Sequence, residues 1–391
     1  VKQIAYLGWL GAGNLGDEAC FQLFQKRVQS IVERSGCGPI TCVPITIIES
    51  QRRLFAFRPG APFRPRSEWR PGDYDYVVLG GGSLLNADRY IKALRLAQVA
   101  GVPTAVWGTG FDGLPNALAA KLKRGLDLRS ERHAAPLPHP VLSDVLRACR
   151  FAGVRGPVTA AWLEANGCGS PGVSGDPGLL FDAAQHAAST SPQAASSNGS
   201  IAAPVPPPKD RIAVIWGMSQ RATHQGPGHA ALTQTVAQWL GTISNRWKPV
   251  ICAMWSHDLP AARQLALYLG AGTEMLEEPL TLGSFAELMR RSAFTLSYRL
   301  HGCILSAASG TPFCSIAYRS KCYDFARSID VPDWVVDPGN GDVIKGLDRW
   351  FSHVSGKKAR TLREQLDRSA ARYRKSLADM VRSIVSDLAR H

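Results

Sequence analysis

The sequence predicts an α/β protein built as two parallel-sheet domains. Three observations carry that prediction. Short apolar runs stopped by glycine, such as DYDYVVLGGG at 73–82, have the composition of strands buried on both faces. Runs of this kind alternate with helix-length segments along the chain, the pattern of strands joined by crossover helices. Between two such alternating halves lies AAQHAASTSPQAASSNGSIAAPVPPPKD at 183–210. This Ala/Ser/Pro stretch has no apolar period and too little apolar surface to offset its chain entropy, so it reads as a flexible linker.

In the first half, strands are expected at 3–8, 40–47, 75–80, 103–107, 150–154 and 171–175. Helical patterns occupy 17–34, 88–100, 115–128 and 157–166. The last has Pro157 in its first turn and Gly167 at its stop. In the second half, strands are expected at 211–217, 248–255, 273–276, 293–297 and 311–318, with helices at 229–245, 259–269, 283–291 and 299–310. Further helices follow residue 340. The expected organisation is a domain at 1–182, the linker 183–210, a domain at 211–340 and a helical tail at 341–391. That outline is GT-B-like: two Rossmann-like domains facing a cleft, with C-terminal helices. Ligands of such folds sit at the C-terminal ends of the strands, so the cleft is the expected site.

Composition excludes other classes. With 45% hydrophobic and 19% charged residues, the chain is neither a disordered protein nor a small disulfide scaffold. No apolar run reaches the ~18 residues of a spanning helix. VKQIAYLGWLGAGN reads as a strand entering a turn, not a signal core. The nine cysteines are scattered without a C-x-x-C pair, which argues against structural zinc and fits reduced thiols in a cytoplasm. The net charge of +14 is concentrated in two places. Residues 51–70 carry six arginines against Glu68, and the chain from Lys357 carries ten basic and four acidic residues. Both stretches read as solvated faces, and no nucleic-acid partner is expected.

Three motifs could carry chemistry. YLGWLGAGNLGDE at 6–18 satisfies G-x-G-x-x-G between a strand and a helix, the context of a dinucleotide site. Against that, Asp17 and Glu18 would repel a pyrophosphate, and the nearest acidic residue ending the second strand, Glu49, lies too far along the chain. The alternatives are a tight turn capped by Asn14 and Asp17, or a polar rim that meets sugar hydroxyls. GGGSLLN at 80–86 and WGTGFDG at 107–113 each follow a strand, and their glycines permit close backbone approach to a ligand. Gly81, Gly82 and Ser83 join Asn14, Asp17 and Glu18 as candidate acceptor-binding residues.

The third motif is LSYRLHGCILSAASGTPFCSIAYRSKCYDFA at 296–326. A strand ends at Ser297, and Arg299 and His301 open the next helix. Arginine offers a fixed cationic fork, histidine can move protons near neutral pH, and a helix N-terminus favours anions. Tyr318, Arg319 and Lys321 follow the next strand with more positive charge. Arg221 is a further candidate cation. His224 and His229 lie in RATHQGPGH, read as an exposed loop or a lid. No His/Asp/Glu group has metal-ligand spacing, so no metal is expected.

GAGNLGDE, GGGSLLN, VRGPVTAAWLEANG, SGDPGLLF and above all SYRLHGCILSAASGTPFCSIAYRSK resemble the polysaccharide pyruvyl transferase family in order and spacing from about residue 4 to 330. The resemblance implies a GT-B-like fold and transfer of pyruvate from phosphoenolpyruvate onto two hydroxyls of a sugar in a cell-surface polysaccharide or its lipid-linked precursor. It implies that Arg299 binds the donor and His301 transfers the proton. The donor's carboxylate and phosphate need cations, for which Arg299, Lys321 and Arg221 are available, with Ser297 beside them. No cofactor beyond the donor substrate is required, and a cytoplasmic enzyme, peripheral at the inner face of the membrane, is expected. A nucleotide-sugar glycosyltransferase with Asp324 on the ribose, or a non-catalytic glycan-binding member, are the competing readings. In the tail, Leu362, Leu366, Tyr373, Leu377, Val381, Ile384 and Leu388 form one stripe of an amphipathic helix. The stripe is expected to pack on the core, the alternative being contact with an anionic membrane.

Overall fold

The computed structural model describes residues 1–46, 64–65, 69–114, 118, 139–188, 209–218, 228–339, 341–356 and 359–390. They form two compact units. The first holds Val1–Leu180, Arg319–Pro332 and Ser369–His391, the second Phe181–Tyr318 and Asp333–Arg368.

In chain order the first unit begins with β1 (Lys2–Gly8), α1 (Leu15–Ser35), β2 (Ile40–Thr46), β3 (Arg64–Pro65), β4 (Tyr76–Gly80), α2 (Asp88–Val99), β5 (Thr104–Thr109), α3 (Leu142–Ala148), β6 (Phe151–Val154), α4 (Pro157–Ala165) and β7 (Gly172–Val173). Its strands make one parallel sheet in the order β3-β2-β1-β4-β5-β6-β7. All five residues of β4 are buried, as its unbroken apolar run requires. Tyr6, Phe24 and Trp107 interlock beneath α1, with Phe24 5.1 Å from each of the other two ring centroids.

The chain continues with α5 (Ala183–Ala188), β8 (Arg211–Ile215), α6 (His229–Ile243), β9 (Lys248–Cys252), α7 (Leu259–Leu269), β10 (Glu274–Met275), α8 (Leu282–Arg291), β11 (Ser292–Ser297), α9 (Leu300–Ala308), β12 (Phe313–Ile316), α10 (Lys321–Ser328), β13 (Val335–Val336), α11 (Val343–Ser355) and α12 (Ala359–Arg390). The second sheet is also parallel, in the order β10-β9-β8-β11-β12-β13. α8 starts on a capping box between Thr281 and Ser284. Trp239, Phe294, Trp350 and Phe351 fill the space under α6 and α11, and Trp239 Nε1 donates to Asp348 at 2.9 Å.

Each sheet reverses its strand order once. The first does so between β1 and β4, the second between β8 and β11. In parallel α/β sheets such a reversal opens a crevice at the carboxyl ends of the two strands, which is where ligands bind.

Several boundaries differ from the sequence reading. Residues 183–188 are helical, because AAQHAA is a run of good helix formers and Phe181 packs on Phe285 at 5.8 Å. The rest of the linker to residue 208, nearly all of the helix expected at 115–128, His224 and the arginines from 52 to 58 lie outside the described residues. Residues 319–332, with α10, belong to the first unit and not to the domain at 211–340. The tail is not a separate element: α12 contributes to the second unit up to Arg368 and to the first from Ser369 on. Its apolar stripe is buried, from Leu366 and Tyr373 through Leu377, Val381, Ile384 and Leu388. Trp107 Nε1 donates to the Leu377 carbonyl at 3.2 Å, and the Tyr373 hydroxyl to the Ser328 carbonyl at 2.9 Å. The stripe is therefore core, not a membrane face. Among the described residues no helix is long and apolar enough to cross a membrane.

Candidate functional site

At the reversal point of the first sheet, the glycine motif after β1 closes on itself. Asn14 caps α1, its Oδ1 accepting from the Gly16 N–H at 3.3 Å while its Nδ2 donates to Asp17 Oδ2 at 2.7 Å. Glu18 Oε1 accepts the Gly11 N–H at 2.7 Å. The loop amides that would cradle a pyrophosphate are thus held by the chain's own carboxylate, which removes the dinucleotide reading. The second glycine motif, after β4, serves packing. Gly81 has φ +67, and a Cβ there would stand 2.7 Å from the Cys20 sulfur. Its N–H donates to the Trp107 carbonyl at 3.1 Å. Gly82 is buried against Asp17, whose Oδ1 would be 3.1 Å from an added Cβ.

Behind these loops lies a buried network. Arg155, just after β6, is fully buried and donates to the Gly82 carbonyl at 3.2 Å and to Ser83 Oγ at 3.3 Å. It stands 3.9 Å from Asp176 and 3.9 Å from Asp324. Asp324 accepts the Val158 and Thr159 N–H groups at 2.9 and 3.3 Å and the Thr159 hydroxyl at 2.7 Å. It therefore caps α4 from a buried position and has no surface to offer a ribose. That corrects the role offered to Asp324 in the glycosyltransferase reading. Lys321 and Arg319 both pair with the buried Asp112, at 3.6 and 2.9 Å.

Burial pushes the Asp17 carboxyl up to about 7, opposed by Lys321 and Arg155 and reinforced by Glu18 and Asp176. Burial likewise pushes Asp176 up to about 6, against the pull of Arg155. Glu18 is raised by burial despite the bonds from Gly11 and Gly13. Burial thus raises three carboxylates of this face, Asp17, Glu18 and Asp176.

At the reversal point of the second sheet, the chemistry is different. Ser297 ends β11 fully buried, its hydroxyl donating to the Arg299 carbonyl at 2.7 Å and accepting the Arg299 N–H at 3.1 Å. It holds the turn and has no surface for a donor, which corrects its expected binding role. Arg299 forks onto Asp258, with Nε 2.8 Å from Oδ2 and Nη2 bonded to Oδ1. Nη2 also donates to the Met218 carbonyl at 2.9 Å. Gly217 is required here, because a Cβ would stand 2.5 Å from Asp258 Oδ1 and 2.8 Å from Arg299 Nε. Burial alone would lower the Arg299 pKa, but its bonds to Asp258 and the Tyr318 phenol outweigh this and raise it. Burial raises Asp258, against the pull of Arg299.

Aromatic rings frame the pair. Arg299 Cζ lies 5.8 Å from the Trp255 centroid, Tyr298 stacks on Tyr318 at 5.2 Å, and Trp216 stands 5.4 Å from Tyr298. His229 opens α6 half-buried, its Nε2 bonded to the Gly217 carbonyl at 2.8 Å, so it is not part of an exposed loop. His301 is half-buried in the first turn of α9, two residues past the clamp. Arg221 lies outside the described residues.

The sequence-predicted residues therefore fall on two faces. Asn14, Asp17, Glu18, Gly81, Gly82, Ser83 and also Lys321 belong to the first unit, while Ser297, Arg299 and His301 belong to the second. Asp258, Arg155, Asp176 and Asp112 were missed. Arg155, Asp176 and Asp112 each lie just past a strand's carboxyl end, so the rule that selected Arg299 would have found them.

The family model for polysaccharide pyruvyl transferases matches residues 14–320. The chain belongs to that family. No curated protein matches it. Solved structures similar to this family member share its fold at low identity. UDP-GlcNAc 2-epimerase from Neisseria meningitidis bound to UDP-GlcNAc is 13% identical over 100% of both chains, with a TM-score of 0.55. Os79 from O. sativa, as a variant in complex with UDP, is 14% identical over 99% of this chain and 100% of its own, with a TM-score of 0.58. MurG from Acinetobacter baumannii is 11% identical over 99% and 100%, with a TM-score of 0.50. The fold of this pyruvyl transferase family member is GT-B, with two Rossmann-like parallel sheets.

Proposed function

We propose that the protein transfers pyruvate from phosphoenolpyruvate onto two hydroxyls of one sugar, forming a ketal. Family membership across residues 14–320 is the observation that carries this reading. The second unit's reversal point supports it. There the Asp258-braced Arg299 offers an oriented cationic edge for the donor's carboxylate or phosphate, and His301 is two residues away.

The chemistry closes in protons and charge. A proton is added at the donor's methylene carbon, which makes C2 electrophilic. One sugar hydroxyl attacks C2, phosphate leaves, and the second hydroxyl completes the ketal. Of the two hydroxyl protons, one balances the new methyl group and the other leaves with phosphate. His301 is the group proposed to move the proton, and Arg299 to steady the developing phosphate charge. No metal or redox cofactor enters this balance. On the first face, Asn14, Asp17, Glu18 and Ser83 are offered to acceptor hydroxyls, for which a carboxylate-rich surface suits better than for an anion. Lys321 remains a candidate cation. The acceptor is a cell-surface polysaccharide or its lipid-linked precursor, met in the cytoplasm where phosphoenolpyruvate is made.

The test is to incubate the purified protein with phosphoenolpyruvate and a sugar panel, and in parallel with nucleotide sugars, following released phosphate and nucleotide. Acceptor-dependent phosphate release from phosphoenolpyruvate is expected. Nucleotide release instead would replace this reading with glycosyl transfer.

A further inference from the structure

The +14 charge and the basic tail find no use in the reaction above. Once the apolar stripe of α12 is buried, its basic residues are left on the other side, and several converge with α1 of the same unit. A groove of about 510 Å³ is lined by Arg27 from α1, by Leu180, and by Arg374, Lys375, Ala378, Asp379 and Arg382 from α12. Four cations thus face one carboxylate.

That carboxylate is already shared. Asp379 takes Lys375 Nζ at 2.7 Å and also Arg382 Nη1, which holds its pKa below the usual range. Arg374 turns its Nε to the Leu179 carbonyl at 2.9 Å. Arg27 is half-buried, and its Nε makes no hydrogen bond. Partial burial lowers its pKa, and so do the neighbouring charges of Arg34 and Arg382, with only Asp379 opposing them. The groove lining therefore carries three more cations than carboxylates. Arginine forks and an ammonium around a concavity suit the several oxygens of a phosphate. The groove is larger than one phosphate, and Leu180 and Ala378 give it an apolar floor.

We propose that this groove between α1 and α12 binds the diphosphate group of an organic diphosphate ester, with the first carbons of the ester lying on Leu180 and Ala378. The inference does not depend on the reaction proposed above.

The full chain is titrated calorimetrically with inorganic pyrophosphate at low and at physiological salt, and in parallel with vesicles of phosphatidylglycerol in phosphatidylcholine. Wild type is expected to bind pyrophosphate, more weakly at the higher salt. Arg27→Gln and Arg382→Gln are each expected to weaken binding about tenfold, the scale of one lost charge-assisted hydrogen bond, with unchanged melting temperature. Arg368→Gln, on the same helix outside the groove, is expected to bind as wild type does. Pyrophosphate binding without vesicle binding supports the proposal with a soluble ester as ligand. Vesicle binding that is lost in Arg27→Gln but is not competed away by pyrophosphate overturns it, because phosphatidylglycerol carries a single phosphodiester and the groove would then be a general anionic contact. Absence of pyrophosphate binding, or equal affinity in wild type and both groove variants, overturns it.

Discussion

Each unit places an arginine just beyond a strand end, and the two arginines are treated differently. Arg155 is sealed in, its side chain 1% exposed, at 3.9 Å from two carboxylates and bonded to the Gly82 loop. Arg299 keeps 17% of its side chain exposed and forks onto a single carboxylate, Asp258. Around Arg155 the carboxylates Asp17 and Asp176 are pushed up toward neutrality, whereas around Arg299 the neighbours are aromatic rings. The same parallel-sheet frame thus carries buried carboxylates with raised pKa values in one unit and a braced cation in the other. The difference teaches that a strand-end arginine is not by itself an anion site; what its fork already holds decides how much of it a ligand can reach.

The sharpest way to break this comparison is at His301. His301→Ala should lower phosphoenolpyruvate-dependent transfer by about a thousandfold or more, while leaving donor affinity within about tenfold, because the ring moves protons and does not anchor an anion. Steady-state turnover beside a donor-binding titration separates the two quantities. Wild-type turnover in the variant would remove His301 from the mechanism.

Next comes Arg155. Arg155→Met should cost about 3–5 kcal/mol of stability, since it leaves buried Asp176 and Asp324 without their shared cation. Denaturant unfolding measures this. A loss below about 1 kcal/mol would mean that the network is not what holds the first face together.

Much of the fold was legible in the sequence, for local reasons. α7 runs over Leu259–Leu269 as expected, because Pro260 and Gly270 mark its ends. β4 was legible as an unbroken apolar run, and β11 as the short AFTLS segment between two helical patterns. What failed was short or non-local. β13 is two residues long, too brief for any periodicity. The assignment of α10 to the first unit depends on contacts such as Asp324 with α4, 165 and 166 residues away in sequence. At the candidate site, Arg299 and His301 were legible because they follow a strand and open a helix. Asp258 was not, because a lone aspartate in WSHDL carries no spacing that ties it to an arginine 41 residues later. Ser297 was misjudged for the opposite reason: its hydroxyl is spent locally, on the N–H and carbonyl of Arg299 two residues on, a turn that serine side chains commonly make.

A smaller effect sharpens the role of the brace. Arg299→Lys should weaken donor binding by about tenfold to a hundredfold, because one ammonium cannot hold Asp258 in a fork and also present an oriented edge. An isothermal titration with phosphoenolpyruvate reads this directly, and an unchanged dissociation constant would place Arg299 outside the donor pocket.

The smallest effect tests the first face. Asp17 has its pKa raised from 3.8 to about 7, chiefly by burial. Between those values the folded protein keeps a proton that the unfolded chain has released. Its stability therefore falls as pH rises from about 4 to about 7, and is flat above. An asparagine side chain cannot ionise, so Asp17→Asn escapes that loss while its amide oxygen still accepts from Asn14. The shift taken whole would correspond to about 4 kcal/mol. Asp17 is only half-buried, and solvent reduces the figure to about 1–2 kcal/mol. Denaturant midpoints should show the variant more stable than wild type at pH 8 and equal to it at pH 4. Asp258→Asn should behave in the opposite way, losing stability at both pH values because it strips the partner from a cation that stays charged throughout. If Asp17→Asn is instead less stable than wild type at pH 8, Asp17 is an ordinary paired carboxylate, and the contrast between an acidic face that stores protons and a face built on a braced cation does not hold.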